Sequence, residues 1–144
     1  MKHTKKNLKR EPVVLYLDSN IFIYATVNTK ELGEKARSLL QKIQQGEEKA
    51  ETSALTFDEV FWAIKKYNLE AAFEACQALL NFLNLEIIPA NRELVLSALQ
   101  IIKEYNLAPR DAIHAATAIA EKVDALVSTD ADFDKVKELR RNPP

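Results

Sequence analysis

Val13-Val14-Leu15-Tyr16-Leu17-Asp18-Ser19-Asn20 decides the fold class. Five consecutive apolar or aromatic residues with β-branched members read as a strand buried on both faces, the kind found inside parallel sheets. The run stops at Asp-Ser-Asn, and each of these residue types caps a helix N-terminus by accepting from a free backbone N–H. Ile21 to Val27 follows as a short helix.

Working downstream, the same alternation continues. Leu32, Ala36, Leu39, Leu40 and Ile43 recur at helical spacing, which predicts an amphipathic helix over 31–45 that Gly46 ends. Lys49 to Ser53 is a short strand. A helix over 55–67 is expected to face inward with Leu55 or Phe57, Phe61 and Ile64, and another over 70–83 with Ala72, Cys76, Leu79, Leu80 and Leu83. Leu85 to Ile88 is a strand stopped by Pro89. Residues 92–105 are helical through Val95, Ala98 or Leu99, and Ile102. Pro109-Arg110-Asp111 opens an alanine-rich helix over 112–122, and Ala125 to Ser128 is a last strand running into Thr129-Asp130. A short helix at 133–140 closes the chain before a charged tail ending Pro143-Pro144. Strands alternating with helices imply βαβ units and a parallel sheet covered on both faces. Residues 12–140 therefore read as one α/β domain, and residues 1–11, with Lys2, Lys5, Lys6, Lys9 and Arg10, as a flexible basic arm.

Bulk properties narrow the function. A chain of 144 residues with 47% hydrophobic and 28% charged residues suits one globular domain. The net charge of −1 gives no global attraction for a polyanion, so any nucleic-acid binding rests on local patches and bound cations. The single cysteine, Cys76, cannot form an internal disulfide, and no Cys/His spacing suits zinc. With only Gly33 and Gly46, neither glycine-rich phosphate motif can be written. The apolar run after the basic arm ends after five residues, short of the roughly 7–15 of a secretory core. No stretch approaches the roughly 20 apolar residues of a membrane span. The expectation is a soluble, cytoplasmic protein.

In open parallel sheets ligands bind beyond the carboxyl ends of the strands. Here one apolar strand ends in Asp18 and another runs into Asp130. Neighbouring carboxylates repel, and burial adds to the cost. A fold keeps them by protonating one or by binding a hard cation, and magnesium is held by one or two carboxylates plus waters and phosphate. Such an ion can act on a polyanion, because it inverts the local sign of charge.

Four segments carry a resemblance. Leu17-Asp18-Ser19-Asn20-Ile21-Phe22-Ile23 resembles the opening motif of PIN domains. Ser53-Ala54-Leu55-Thr56-Phe57-Asp58-Glu59-Val60 is similar to the second motif, with its acid placed at Glu59. Pro109 to Ala118 resembles the third, an Asp opening an alanine-rich helix, and Val127-Ser128-Thr129-Asp130-Ala131-Asp132-Phe133 the fourth. The motifs stand in the family's order over about residues 12–136. The resemblance implies a three-layer α/β/α nuclease with a twisted parallel sheet. It implies Mg²⁺ or Mn²⁺ at Asp18, Glu59, Asp111 and Asp130, and endonucleolytic attack on RNA. Asn20 and Ser128 would orient those acids, and Asp132 would contribute further. The size resembles the VapC-type toxins, which dimerise and are silenced by a cognate antitoxin protein.

Plainer readings stand beside these. Asp18 and Asp111 each suit a helix cap. Periodicity separates Glu59 poorly from Asp58. Asp130, Asp132 and Asp134 alternate like a calcium loop, but the loop positions that need Gly and Glu hold Lys135 and Arg141. His114, one turn after Asp111, is a candidate proton carrier or ligand that reads better as a histidine in a structural hydrogen bond. Cys76 reads as core, and Trp62 and Tyr67, candidates to stack on bases, read better as packing or a dimer interface. The basic arm, Lys65, Lys66, Arg110, Arg140 and Arg141 are candidates to hold RNA phosphates. Two rival functions remain open: an RNA-binding or partner-binding PIN-like module with weak catalysis, and a metal-dependent phosphohydrolase with Asp18 as nucleophile.

Overall fold

The computed structural model describes residues 12–144, so the expected basic arm, residues 1–11, lies outside the described residues. Strand β1 (Val14–Leu17) leads through Asp18 into helix α1 (Ser19–Val27), and helix α2 (Glu31–Gln44) returns the chain to β2 (Lys49–Ser53). Helices α3 (Leu55–Lys65) and α4 (Leu69–Leu80) connect β2 to β3 (Leu85–Ile88). Helices α5 (Arg92–Tyr105) and α6 (Pro109–Ala120) carry the chain to β4 (Ala125–Val127). A 3-10 helix (Ala131–Lys135) and β5 (Arg141–Asn142) finish the fold. The five strands are all parallel, in the order β3-β2-β1-β4-β5.

The sheet is sandwiched because its central strands are apolar on both faces. Leu15 and Leu17 of β1, with Ala125 and Val127 of β4, join the core beneath α1 to α4. Tyr16 and Leu126, one residue out of phase, join the other core beneath α5, α6 and the 3-10 helix. This is the period-two alternation of a strand. Fully burying residues such as Leu17, Ile21 or Phe133 contributes about 1.5–3 kcal/mol each. The α6 face owes its close approach to small residues, with Ala112, Ala115, Ala116 and Ala118 all buried.

Two glycines are required by the backbone, one by close approach and one by a positive φ. A β-carbon on Gly33 would lie 1.9 Å from the carbonyl oxygen of Asn28, so glycine lets α2 start against the end of α1. Gly46 takes φ +83° just past α2, as a helix C-terminus favours.

The inward faces of three helices differ from expectation. Helix α3 buries Thr56, Val60 and Ile64, while Phe57 is 45% exposed. The Thr56 hydroxyl is satisfied by Thr52 Oγ1 at 2.7 Å, which lets a polar residue face in. Helix α4 buries Ala72, Cys76 and Leu79 but leaves Leu80 exposed, and it ends at Leu80, short of the expected 83, with Leu83 exposed in the turn beyond it. Helix α5 buries Leu94, Ala98 and Ile101, with Val95 and Leu99 outside. Its apolar residues occupy two adjacent stripes, so periodicity does not choose between them. The expected helix at 133–140 is replaced by the 3-10 turn and then β5. That strand has no apolar signature. Its backbone pairs with β4, Leu126 N–H donating to Arg140 O at 2.8 Å and Ser128 N–H to Asn142 O at 3.1 Å. No helix among the described residues is long and apolar enough to cross a membrane.

Candidate metal centre

The sheet winds outward from β1 to β3, then resumes at β4 on the other side of β1. The crevice at such a reversal, beyond the carboxyl ends of the strands, is where doubly wound sheets bind ligands. Asp18 leaves β1 and Asp130 follows β4 at this point.

Asp18 is 5% exposed. Its backbone N–H donates to Val127 O at 3.1 Å, tying it to β4. Its carboxylate caps α1: Oδ1 accepts from Ser19 N–H at 2.8 Å, and Oδ2 accepts from the Ser128 hydroxyl at 2.7 Å. Burial pushes the Asp18 carboxyl above its usual range, against the opposing pull of His114 and Ser128. Capping and a role in a charged cluster thus coexist in one side chain.

Ser128 is shared. Besides donating to Asp18, its oxygen accepts from Asp130 N–H at 3.0 Å and lies 3.4 Å from Asn20 Nδ2. Asn20 Nδ2 also donates to Thr129 Oγ1 at 3.0 Å. Asp130 caps the 3-10 helix, with Oδ1 accepting from Asp132 N–H at 2.9 Å. Arg141 braces this loop from behind. Its guanidinium donates to Asp134 at 2.8 and 3.0 Å and to Ser128 O at 3.1 Å. Asp134 is therefore an ion-pair partner, and Arg141 is engaged within the fold.

Asp111 stands in the first turn of α6, where the helix dipole favours negative charge. It meets the strand-end acids: Asp111, Asp130 and Asp132 each offer a carboxylate oxygen within 4.8 Å of the others. Burial, then the charges of Asp18 and Asp130, raise the Asp111 pKa to about 6.

Glu59 arrives from α3. Thr52 Oγ1 donates to Leu17 O at 2.7 Å and Ser53 Oγ accepts from Leu55 N–H at 3.1 Å, which fixes the start of α3 against the end of β1. Glu59 Oε1 lies 2.5 Å from His114 Nε2. Its neighbour Asp58 instead faces Arg110 at 3.9 Å. His114 is fully buried, with Nδ1 2.6 Å from Tyr16 Oη and Nε2 3.7 Å from Asp18 Oδ1. Burial opposes a charged imidazole, yet the Glu59 hydrogen bond and the Asp18 charge hold its pKa above the ordinary value.

The structure thus brings the carboxylates of Asp111, Asp130 and Asp132 together, with Asp18 tied to Asp130 through Ser128 and Glu59 linked to Asp18 through His114. Asn20 and Ser128 lie directly behind. Thr129 and His114 are further polar members that the sequence reading did not assign to the site. For His114 the signal was its place one helical turn after Asp111. The donor set is made of carboxylate oxygens with no thiolate, which fits a hard divalent ion such as Mg²⁺ or Mn²⁺. Asn20 Oδ1 is buried without a hydrogen-bond partner among the described residues, a further oxygen acceptor that the protein leaves open beside the acids.

Of the other basic candidates, Arg110 faces Asp58 at 3.9 Å. Lys65 lies over the Trp62 ring, 5.2 Å from its centroid, and Trp62 and Tyr67 are 55% and 74% exposed. Cys76 is buried, as expected of a core residue.

Known proteins share this architecture. Ribonuclease VapC2 of Methanocaldococcus jannaschii is 27% identical over 150 aligned positions, covering 91% of this chain and 94% of the relative. The VapBC2 structure from Rickettsia felis, bound to a promoter DNA fragment, superposes with a TM-score of 0.72 at 19% identity, covering 91% of this chain and 98% of that one. VapC20 of Mycobacterium tuberculosis, a sarcin–ricin-loop cleaving toxin, gives 0.71 at 13% identity, covering 85% and 95%. The profile of the PIN domain matches residues 15–139, nearly the whole described chain, and the protein belongs to the PIN domain family.

Proposed function

We propose that this chain is a metal-dependent endoribonuclease that hydrolyses RNA phosphodiester bonds, with Mg²⁺ or Mn²⁺ held by Asp18, Glu59, Asp111 and Asp130. The observation that carries this reading is convergence. Acids from four separate segments (the ends of β1 and β4, helix α3, and the first turn of α6) meet at the sheet's reversal point, on a lattice of hydrogen-bond donors. Bound there, a divalent ion supplies an acidified water and neutralises charge on the phosphodiester. The chain's own residues do the rest. Ser19 N–H and Ser128 hold Asp18, the Asp132 N–H holds Asp130, and Asn20 ties α1 to the Ser128-Thr129 loop. Asp132 adds a carboxylate at the exposed rim.

The names of the relatives support a more specific role. A curated relative is a ribonuclease, one structural neighbour is a sarcin–ricin-loop cleaving toxin, and another is a toxin–antitoxin complex. On this reading the chain is the toxin of a VapBC-type pair, cytoplasmic, with a cognate antitoxin as partner. The exposed apolar side chains Phe57, Trp62, Leu69, Phe73 and Leu80 on α3 and α4 support protein partners, including a second copy of the chain. Sedimentation showing only monomer would remove the homodimer.

The phosphohydrolase alternative is weakened by Asp18 itself. Both of its carboxylate oxygens accept hydrogen bonds within the fold, an arrangement that suits an oriented acid better than an attacking nucleophile. The weak-catalysis module is separated from the nuclease by activity.

The test is cleavage of RNA with Mg²⁺, Mn²⁺ or EDTA, comparing wild type with Asp18→Asn. Cleavage leaving 5′-phosphate ends is expected only with metal. The variant should fold and lose more than the roughly 10–100-fold that removing a supporting hydrogen bond costs. Full activity in a folded variant would move the site elsewhere, and cleavage leaving cyclic phosphates would remove the hydrolytic mechanism.

A further inference from the structure

The buried imidazole of His114 lies between β1 and the acid cluster, and no function described so far requires it. It is completely enclosed. A buried polar side chain needs partners for both ring nitrogens, and this one has them. Nδ1 meets the Tyr16 hydroxyl at 2.6 Å, and Nε2 meets Glu59 Oε1 at 2.5 Å. The pairing is complete with Nε2 carrying the hydrogen and the Glu59 carboxylate accepting it. This holds whether the ring is neutral, with Nδ1 accepting from Tyr16, or protonated.

We infer that His114 is a positioning residue that fixes the Glu59 carboxylate for metal binding, with Tyr16 locking the ring from behind. This rests on the metal-site reading proposed above. Three features support it. Glu59 is the one acid of the four that comes from α3, the helix packed on the opposite face of the sheet from α6. Asp18 has Ser19 and Ser128 to orient it, and Asp130 has the Asp132 N–H. For Glu59, His114 is the hydrogen-bond partner among the described residues. His114 also shares α6 with Asp111, one turn away, so one helix carries an acid of the cluster and the orienter of another. A donor that holds an acid in this way sets ligand direction and basicity, and its loss lowers metal affinity.

The test is Mn²⁺ binding followed by loss of the free-ion EPR signal, with folding of each variant checked by circular dichroism. His114→Leu removes the donor and should weaken binding about 10–100-fold. His114→Gln can place an amide N–H toward Glu59 and should recover most of that loss. Tyr16→Phe frees Nδ1 and should give a smaller loss. A folded His114→Leu that binds Mn²⁺ as wild type does, or a folded His114→Gln as weak as His114→Leu, overturns the role of His114 while leaving the metal site intact. Folded wild type that binds no Mn²⁺ overturns the metal site and this role together. Should His114→Leu fail to fold, ring ¹⁵N spectra of the wild-type protein decide. A proton on Nε2 is expected, and a neutral ring protonated only on Nδ1 overturns the proposal.

Discussion

Helix α6 carries an acid at each end, and each end belongs to a crowd of acids. Asp111 in its first turn meets Asp18, Asp130 and Glu59, while Glu121 at its C-cap meets Glu51 and Glu86, paired across β2 and β3. Both crowds move a carboxyl pKa upward: burial and then Asp18 and Asp130 take Asp111 to about 6, and burial and then Glu121 and Glu86 take Glu51 to about 7. Repulsion alone does not distinguish them. The difference lies in what holds the oxygens. At the N-terminal end, Ser19 N–H, Ser128 and His114 are aimed at carboxylates, and the helix dipole favours the charge. At the C-terminal end the dipole opposes Glu121, and Glu51 Oε2 is buried with no hydrogen-bond partner among the described residues. Acids held in fixed directions by donors are prepared for a cation; the other crowd is only repulsion.

The largest effect that could break this contrast comes from Asp111→Asn. The folded pKa of Asp111 lies above the unfolded value, so its contribution to stability is present below pH 3.8 and is lost as pH rises through about 6. At pH 8 without metal the neutral amide should therefore stabilise the protein by about 1–2 kcal/mol, discounted because the group is only half-buried. The same change should abolish the rise in melting temperature that Mg²⁺ gives wild type. Urea unfolding at pH 8 with EDTA or Mg²⁺ measures both. A variant less stable than wild type in EDTA, or still stabilised by Mg²⁺, would mean that this end of α6 is not a poised cation site.

Ser128→Ala sharpens the contrast by removing donors while leaving every acid in place. It deletes the hydrogen bond to Asp18 Oδ2 and the acceptor for Asp130 N–H. The expected loss is about tenfold in Mn²⁺ affinity and about 1–2 kcal/mol in stability. Calorimetric titration with Mn²⁺ reads the first and urea unfolding the second. Unchanged affinity would show that charge alone makes the site.

The same contrast explains what could be read from the chain. Asp18 and Asp130 were visible because each terminates an apolar strand, and Asp111 because it follows a proline at a helix start; local pattern fixes such positions. The strands from 14 to 17, 85 to 88 and 125 to 127 were visible as short apolar runs, whereas Lys49 to Ser53 carries no such run. What local pattern alone does not decide depends on side chains meeting across the fold. Glu59 and Asp58 sit on neighbouring faces of α3, and it is His114, 55 residues away in sequence, that distinguishes them. The inward stripe of α5 is chosen by packing between two equally apolar stripes. Strand β5 exists because Arg141 pairs with Asp134 and its backbone completes the edge of β4, and no periodicity in two polar residues announces that.

The smallest expected effect tests the other end of α6. Glu51→Gln removes the central charge of the unheld crowd. The folded pKa of Glu51 is about 7 against 4.5 ordinarily, so the stability it contributes is present below pH 4.5 and is lost as pH rises through about 7. The substitution should therefore stabilise the protein at pH 8 by about 1 kcal/mol, most of the nominal shift being discounted for solvent screening. The gain should fade towards pH 4.5, where wild-type Glu51 is protonated, and Mn²⁺ affinity should not move. Urea unfolding at pH 5 and pH 8, alongside a Mn²⁺ titration, gives the three numbers. A stability gain equal at both pH values would place its origin outside the ionisation of Glu51. Weakened Mn²⁺ binding would be the more serious result, because it would mean that the two ends of α6 are coupled and that the acid crowd without donors also takes part in holding the ion.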